Sequence, residues 1–417
     1  MTLRIPQKPN YNLLINYFIV AYAVCLPLSK AGISLFGGLL ILFWLIEANF
    51  KEKYQLIKDN SLILAMIAFV GFSLLALLWS SDTVFALSYL KKYWHFLVLV
   101  VIYTSLDKKY IQYIFTAFLL GMLVSEIVSY GIFFEIWTKE GVYPHDPSPF
   151  VDHTSYSALL AFTTFILMYK IMLTTDLKWR IFYLLYFFTA VSNLFINGGR
   201  TGQVIFFVGI MIIGFLNIKC KFRAISISLV GAFLFFMGAY SISPVFKTRM
   251  DYTLLDMKKM VFEDDFRGSL SARFALWKIG SENFLHSPLI GTGIGDEAEH
   301  SQEDIKKYDL EYFISTNGTF YYVDYHNAFV QYLVQLGMVG FILFLSLFYF
   351  MFRIKIDYWM YHHLKILYVI LFILWSMVGL TLHLNTPMTF FVLFTALFMK
   401  IAYYEKKENE SQINALQ

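Results

Sequence analysis

The side chains in this sequence that could do chemistry are arginines and a histidine, and they fall in three places. The first is Gly198-Gly199-Arg200-Thr201-Gly202, a short break between two apolar runs. An arginine at the centre of a hydrocarbon-spanning helix costs roughly 2.5–3.5 kcal/mol, and less near its ends, so something should offset that cost. Flanking glycines let the backbone approach a ligand and leave amides open at the start of the next helix, which is how phosphates are held. The plainer reading is a tight turn whose arginine reaches lipid headgroups.

The second place is Ser269-Leu270-Ser271-Ala272-Arg273-Phe274-Ala275-Leu276-Trp277, read as an amphipathic helix near the membrane surface with Arg267 and Lys278 close by. Guanidinium groups grip phosphate oxygens through paired hydrogen bonds, so such cations suit a lipid-linked diphosphate. The alternative is a solvated helix face anchored by an interfacial tryptophan. The third is His326, directly before an apolar run and two residues after Asp324. Its ordinary pKa of about 6.5 fits a general base. Otherwise it is a helix-start residue bonding exposed amides.

Other polar residues carry weaker signals. Gly291-Thr292-Gly293-Ile294-Gly295 follows Ser287-Pro288-Leu289-Ile290 without a βαβ setting, so it reads as a compact turn bringing Arg273 and His326 together, not as a dinucleotide fingerprint. The acidic run Glu263-Asp264-Asp265 lacks further ligands at metal spacing and reads as a solvated loop. Asn317-Gly318-Thr319 matches a glycosylation sequon and is given no weight. Glu126 lies mid-span, where a carboxylate is costly and is either functional or hydrogen-bonded across the bundle. His145 and His153 bracket a Pro-containing turn and could help bind sugar hydroxyls; no third ligand makes them a metal pair.

The elements that must position these residues are membrane helices. Of 417 residues 58% are hydrophobic and 15% charged, a balance that excludes an ordinary soluble enzyme. Runs near the ~20 residues needed to span a bilayer fall at 12–29, 31–47, 61–79, 94–106, 111–134, 154–173, 181–197, 203–218, 224–242, 327–352, 365–384 and 386–403. The expected fold is an all-α polytopic membrane bundle of about twelve spans. The stretch 81–93 either lies along the interface or lengthens the short span that follows. The first residues, with Arg4 and Lys8, show no cleavage site, so no removable signal peptide is expected. Cys25 and Cys220 fall at different depths and are not expected to pair.

Charge fixes the expected orientation. Lys51, Lys53 and Lys58, Lys108 and Lys109, Lys170, Lys178 and Arg180, Lys219, Lys221 and Arg223, Arg353, Lys355 and Lys365, and Lys400, Lys406 and Lys407 all fall on one side. The turns between them hold only Lys30, Lys91, Lys92, Lys139 and Arg200, which places both termini in the cytoplasm. The chain then divides into a bundle of about nine helices at 1–242, a large partly helical outer loop at 243–326, about three more helices at 327–403 and a tail at 404–417. The tail, EKKENESQINALQ, is polar and expected to be disordered.

GGRTG after a span, SxxxRxxxW followed by HSPLIGTGIG, and YHNAFVQYLVQLGMVG entering the next span together resemble the O-antigen ligase and polymerase superfamily. The resemblance covers about residues 190–345 by motif and the whole chain by topology. It implies an inverting glycosyltransferase of membrane class C-like architecture, acting at the periplasmic face of the bacterial inner membrane without metal or other cofactor. Its donor would be an undecaprenyl diphosphate-linked glycan. The acceptor is lipid A-core oligosaccharide in the ligase branch and another lipid-linked repeat unit in the polymerase branch; membrane lipids are the remaining partners, and nucleic acid is not one.

Carried onto this sequence, Arg200 and Arg273 grip the diphosphate and His326 serves the acceptor hydroxyl. Arg267 and His153 are added as substrate-binding residues. Lys91, Lys92 and His95 are donor-side residues by position, with interfacial anchoring as the alternative. A ligase is the leading expectation and a polymerase its closest rival. The short C-terminal tail argues against protein O-oligosaccharyltransferases, and Glu126 as the one clear mid-span charge disfavours a transporter or flippase.

Overall fold

The computed structural model describes residues 10–297, 302–310, 314–317 and 320–416. Arg4, Lys8, Glu299 and the Gly318-Thr319 pair of the sequon lie outside the described residues. The helices are α1 (Tyr11–Cys25), α2 (Lys30–Glu47), α3 (Phe50–Ile57), α4 (Ser61–Leu75), α5 (Thr83–Leu90), α6 (His95–Ser105), α7 (Ile111–Phe133), α8 (His153–Leu173), α9 (Leu177–Ile196), α10 (Arg200–Asn217) and α11 (Lys221–Ile242). Then come α12 (Pro244–Glu263), α13 (Ser271–Phe284), α14 (Gln302–Lys307), a two-stranded antiparallel ribbon of β1 (Ile314–Asn317) and β2 (Phe320–Val323), α15 (Ala328–Arg353), α16 (Trp359–Ser376) and α17 (Asn385–Leu416).

Eleven of these helical runs, among the described residues, are long and apolar enough to cross a membrane, as an all-α polytopic fold requires. The twelfth expected span, α1, has only 15 residues. It ends just before Pro27, which has no amide hydrogen to donate back into the helix; Leu26, the residue before it, still has helical angles. The stretch after residue 81 does not lie apart as an interfacial helix. A 3₁₀ turn at Lys91–Trp94 joins α5 to α6, so Thr83–Ser105 forms one span.

Spans begin where a small polar side chain can hold open amides. Asn60 accepts from Leu62 and Ile63, Asp152 from Ser155, Asp176 from Lys178 and Trp179, and Asn327 from Phe329 and Val330. Between helices, aromatic edges do much of the packing, since lipid supplies no hydrophobic drive for helix association. Phe118, Phe162, Tyr368, Phe390 and Phe394 interlock α7, α8, α16 and α17, the Phe162 and Phe394 rings meeting edge to face at 4.9 Å. The apolar part of α17 is the central post, almost wholly buried, whereas α11 is an outer wall with very few buried residues.

The polar tail is helical, not disordered. α17 continues through it to Leu416, held by Glu405 accepting from the Asp357 and Tyr358 amides, by Asn409 donating to Asp357, and by a Lys108–Glu408 ion pair. Glu, Lys, Gln and Ala all favour helix, so an existing helix extends through them once its end is fastened.

Candidate functional site

The turn at 197–200 is built for close contact. Gly202 packs so tightly on α8 that an added Cβ would fall 2.1 Å from the Ser157 carbonyl oxygen. The amides here already have protein partners: Gly198 donates to Asp146 at 3.2 Å, Gly199 to Asn197 at 2.8 Å and Gly202 to Ser157 at 3.1 Å. These glycines therefore serve packing of α10 on α8, not the amide cradle that their spacing led one to expect. What the turn presents is the Arg200 side chain. It donates to Thr253 Oγ1 at 2.7 Å and Ser269 Oγ at 2.8 Å, bridging α12 and the start of the α13 segment.

α12 and α13 rise from the same face. Asp256 on α12 accepts from the Leu270 amide at 2.7 Å and from Ser271, capping α13 from outside. Arg200, Arg249, Tyr252, Leu255, Asp256, Lys259, Asp265, Arg267, Gly268 and Ser269 line a cavity of about 600 Å³. Its four cations outnumber its two carboxylates, and both carboxylates are engaged. Arg267 grips Asp265 through Nε at 2.9 Å and a second nitrogen at 3.0 Å, drawing that carboxyl down to about 2. Arg267, expected to be free for substrate, thus already has an anion. Among the described residues neither Arg200 nor Arg249 has one in an ion pair, and the positive charges of Arg273 and Arg249 both act on Arg200, with Asp256 opposing them.

Arg273 projects from α13 toward the segment that carries His326. α13 buries Ala272, Ala275, Leu276 and Ile279 against Ile305, Leu310, Tyr325 and Val334, a small core separate from that of the bundle. Trp277, one turn after Arg273, donates its Nε1 to the Tyr325 carbonyl at 3.1 Å. It is a strut between two site elements and not a membrane anchor. Arg273 Nε is buried without a hydrogen-bond partner. Burial pulls the guanidinium below its ordinary value, and Asp324 opposes this. A buried donor left unpaired costs about 1–3 kcal/mol, so an anion at this point would be stabilised.

His326 has a left-handed backbone, φ 48°. That conformation is uncommon outside glycine. Asp324 accepts from the His326 amide at 2.8 Å and faces Nδ1 at 3.6 Å. Burial first, and the Arg273 charge after it, pull the imidazole below the ordinary histidine value, with Asp324 acting in the other direction. At neutral pH the ring is therefore largely uncharged, as a base must be. The next residue, Asn327, caps α15.

The glycine turn docks into a break in α15. Gly337 has φ 63° and ψ −165°, interrupting the helix, and the freed groups pair with the turn. Thr292 donates to Val334 at 2.9 Å, Gly293 to Gln335 at 3.2 Å, Met338 to Pro288 at 2.9 Å and Val339 to Leu289 at 3.1 Å. HSPLIGTGIG and VQLGMVG are thus two halves of one joint, tied to the end of the α4 span where Ile294 donates to Ser80 and Ser81 to Asp296.

Residues 185–345 match the family model described as O-antigen ligase. Over that segment, somewhat more than a third of the chain, the sequence is similar to the O-antigen ligase family. Members of that family are glycosyltransferase-like membrane enzymes that work on lipid-linked glycans. No curated protein matches it.

The segment matched to the O-antigen ligase family contains Arg200, Arg267, Arg273 and His326, and the structure links Arg200 to Arg273 and Arg273 to His326 electrostatically. Arg200 and Arg267 line the cavity, Arg273 and His326 lie beyond its lining, and His153, Lys91 and Lys92 fall outside both the matched segment and the cavity. His153 Nδ1 lies 3.3 Å from Asp146, which also holds Gly198, so it buttresses the Arg200 turn. Lys92 meets His383 at 3.2 Å while Lys91 is exposed. Glu126 is buried near Thr189, Tyr130 and Tyr156.

Sequence reasoning missed Arg249, Lys259, Asp256 and Glu297. The first three share one side of α12, which was read only as part of a long mixed-charge loop. Their spacing of seven and three residues was the available signal. Glu297 gave none, since GDEAEH reads as a solvated acidic stretch.

Proposed function

We propose that this chain moves a glycan from undecaprenyl diphosphate to lipid A-core oligosaccharide, at the periplasmic face of the bacterial inner membrane, with inversion and without a metal. The observation that carries the reading is the convergence of Arg200, Arg273 and His326 on one face, with the Arg273 Nε donor buried and unpaired. Lysines and arginines concentrated in the opposite turns support the orientation.

In this reading the glycosidic carbon–oxygen bond to the diphosphate breaks, its electron pair leaving with the phosphate. Arg200 and Arg273, fixed before the reaction, stabilise the charge that builds there. The acceptor hydroxyl attacks from the opposite side of the sugar, forming the new bond, and His326 takes its proton. Asp324 holds the imidazole and stabilises it once protonated. Transfer should rise with pH in a limb centred below the ordinary histidine value of about 6.5, because the base works only when neutral.

The test is reconstitution in vesicles with labelled undecaprenyl diphosphate-linked glycan and lipid A-core. Label is expected on the core, and His326→Ala should lower transfer by about 10²–10⁴-fold while the protein still inserts and accumulates. Longer carrier-linked chains with an unlabelled core would establish a polymerase instead. Full activity of His326→Ala would remove the histidine from the chemistry.

A further inference from the structure

Glu297 ends the glycine turn and is wholly buried. Its backbone carbonyl accepts from Asn283 Nδ2 of α13 and, at 3.1 Å, from the Tyr325 hydroxyl. Its Oε1 accepts from Gln335 Nε2 and, at 3.3 Å, from Gln331 Nε2, both on α15. Gln331 turns its own Oε1 to the Tyr325 amide at 3.1 Å. Tyr325 is thereby held at its amide by Gln331, at its carbonyl by Trp277 and at its hydroxyl by Glu297 and Asn283. It is the residue before the left-handed His326.

Two atoms in this network lack partners: Glu297 Oε2 and Gln335 Oε1, both buried. They belong to two groups already joined through the other pair of their atoms. If the carboxyl is ionised, both are acceptors, and a buried acceptor without a donor is costly. One proton on Oε2 makes it a donor to Gln335 Oε1 and closes a two-bond acid–amide ring.

We propose that Glu297 works as a neutral acid paired with Gln335, and that this pair positions the His326 segment through Gln331 and Tyr325.

The surroundings fit a protonated group. Facing the carboxyl are the amides of Gln331 and Gln335 from α15 and the backbone amides of Glu297 and Gly295, none of them charged, while Asn283 and Tyr325 hold the backbone carbonyl of Glu297. Among the described residues the charge acting on it is Asp296 of its own turn. Burial pushes the carboxyl up to about 7, against its own backbone amide, the Gln335 bond and the Gly295 amide, with Asp296 adding a little to the rise. A carboxyl raised in this way contributes stability that is fully present below its ordinary value of 4.5 and is lost as pH rises through about 7. Transfer then needs His326 without its proton and Glu297 with its own, which gives a narrow bell. That kinetic consequence rests on the base role proposed above; the pairing itself does not.

Glu297→Gln tests the pair, because an amide in place of the acid donates to Gln335 Oε1 at every pH. Wild-type transfer is expected to fall about fivefold over the first pH unit above 7, whereas Glu297→Gln should lose under about twofold and keep the acid limb. A second readout does not depend on transfer: amide hydrogen exchange over 325–336 in nanodiscs, corrected for intrinsic rates. Wild-type protection should weaken as pH rises through about 7, and the variant's should not. If no transfer occurs but exchange behaves this way, the pair stands and the enzymatic reading fails. The same alkaline loss in wild type and variant, or protection indifferent to pH in both, overturns the proposal.

Discussion

His326 combines a left-handed backbone, an aspartate bound at its amide and a guanidinium charge close enough to act on its ring. A residue that merely opens a helix needs none of these, and Asn327 already supplies the cap. Strain of this kind persists only where surroundings over-determine it, here through Tyr325 and Trp277. Trp277→Phe removes one hydrogen bond, about 1 kcal/mol, and should depress transfer well beyond its small effect on thermal unfolding. Equal losses in both would make the tryptophan a plain packing residue. Arg200, Arg273 and His326 stood out in the sequence as candidates because charge beside hydrocarbon is expensive, though each also had a plain structural reading there. Glu297 was not, because its burial is decided by the docking of the turn at 288–297 onto α15, a long-range contact with no local pattern.

Elements position the site through two close approaches, α10 on α8 and the glycine turn on the broken α15. At Gly337 an added Cβ would lie 2.4 Å from the Leu289 carbonyl carbon and would meet a backbone at φ 63°. Gly337→Ala should therefore cost about 1–3 kcal/mol in nanodisc thermal unfolding. Gly238→Ala in α11, where a Cβ would meet nothing within 4 Å, is the matched control and should be neutral or slightly stabilising. Similar losses at both positions would mean that the joint does not matter. Most spans followed from apolar length, but α1 came out short, and the sequence left the flank of α6 open between an extension and an interfacial helix. The helix break did not, because VQLGMVG continues a helical pattern and only a partner segment makes its interruption favourable. The α12 face and the helical tail were hidden by mixed charge, which reads as loop or coil until a fixed neighbour orders it.

At the scale of the molecule, the turns alternate between two faces. The 197–200 turn, α12, α13 and the His326 segment share one. The other gathers Lys53 with Glu47 at 2.8 Å, Lys108 with Glu408, and a cavity of about 820 Å³ between residues 55–62, 349–357 and 399–413. Cys220, exposed in the turn between α10 and α11, reports on the second face. A membrane-impermeant maleimide should leave it unlabelled in intact cells and label it after the inner membrane is opened, as the positive turns require. Labelling in intact cells would invert the orientation and contradict the proposed periplasmic site.

The central claim is a division of labour, with arginines holding the donor diphosphate and the histidine serving the acceptor. Binding of labelled undecaprenyl diphosphate-linked glycan and single-turnover transfer, measured together in nanodiscs on Arg273→Ala and His326→Ala, separates the two roles. The account expects His326→Ala to bind donor as wild type does and to transfer almost none of it, and Arg273→Ala to lose donor binding. Donor binding that survives in Arg273→Ala and disappears in His326→Ala would contradict it.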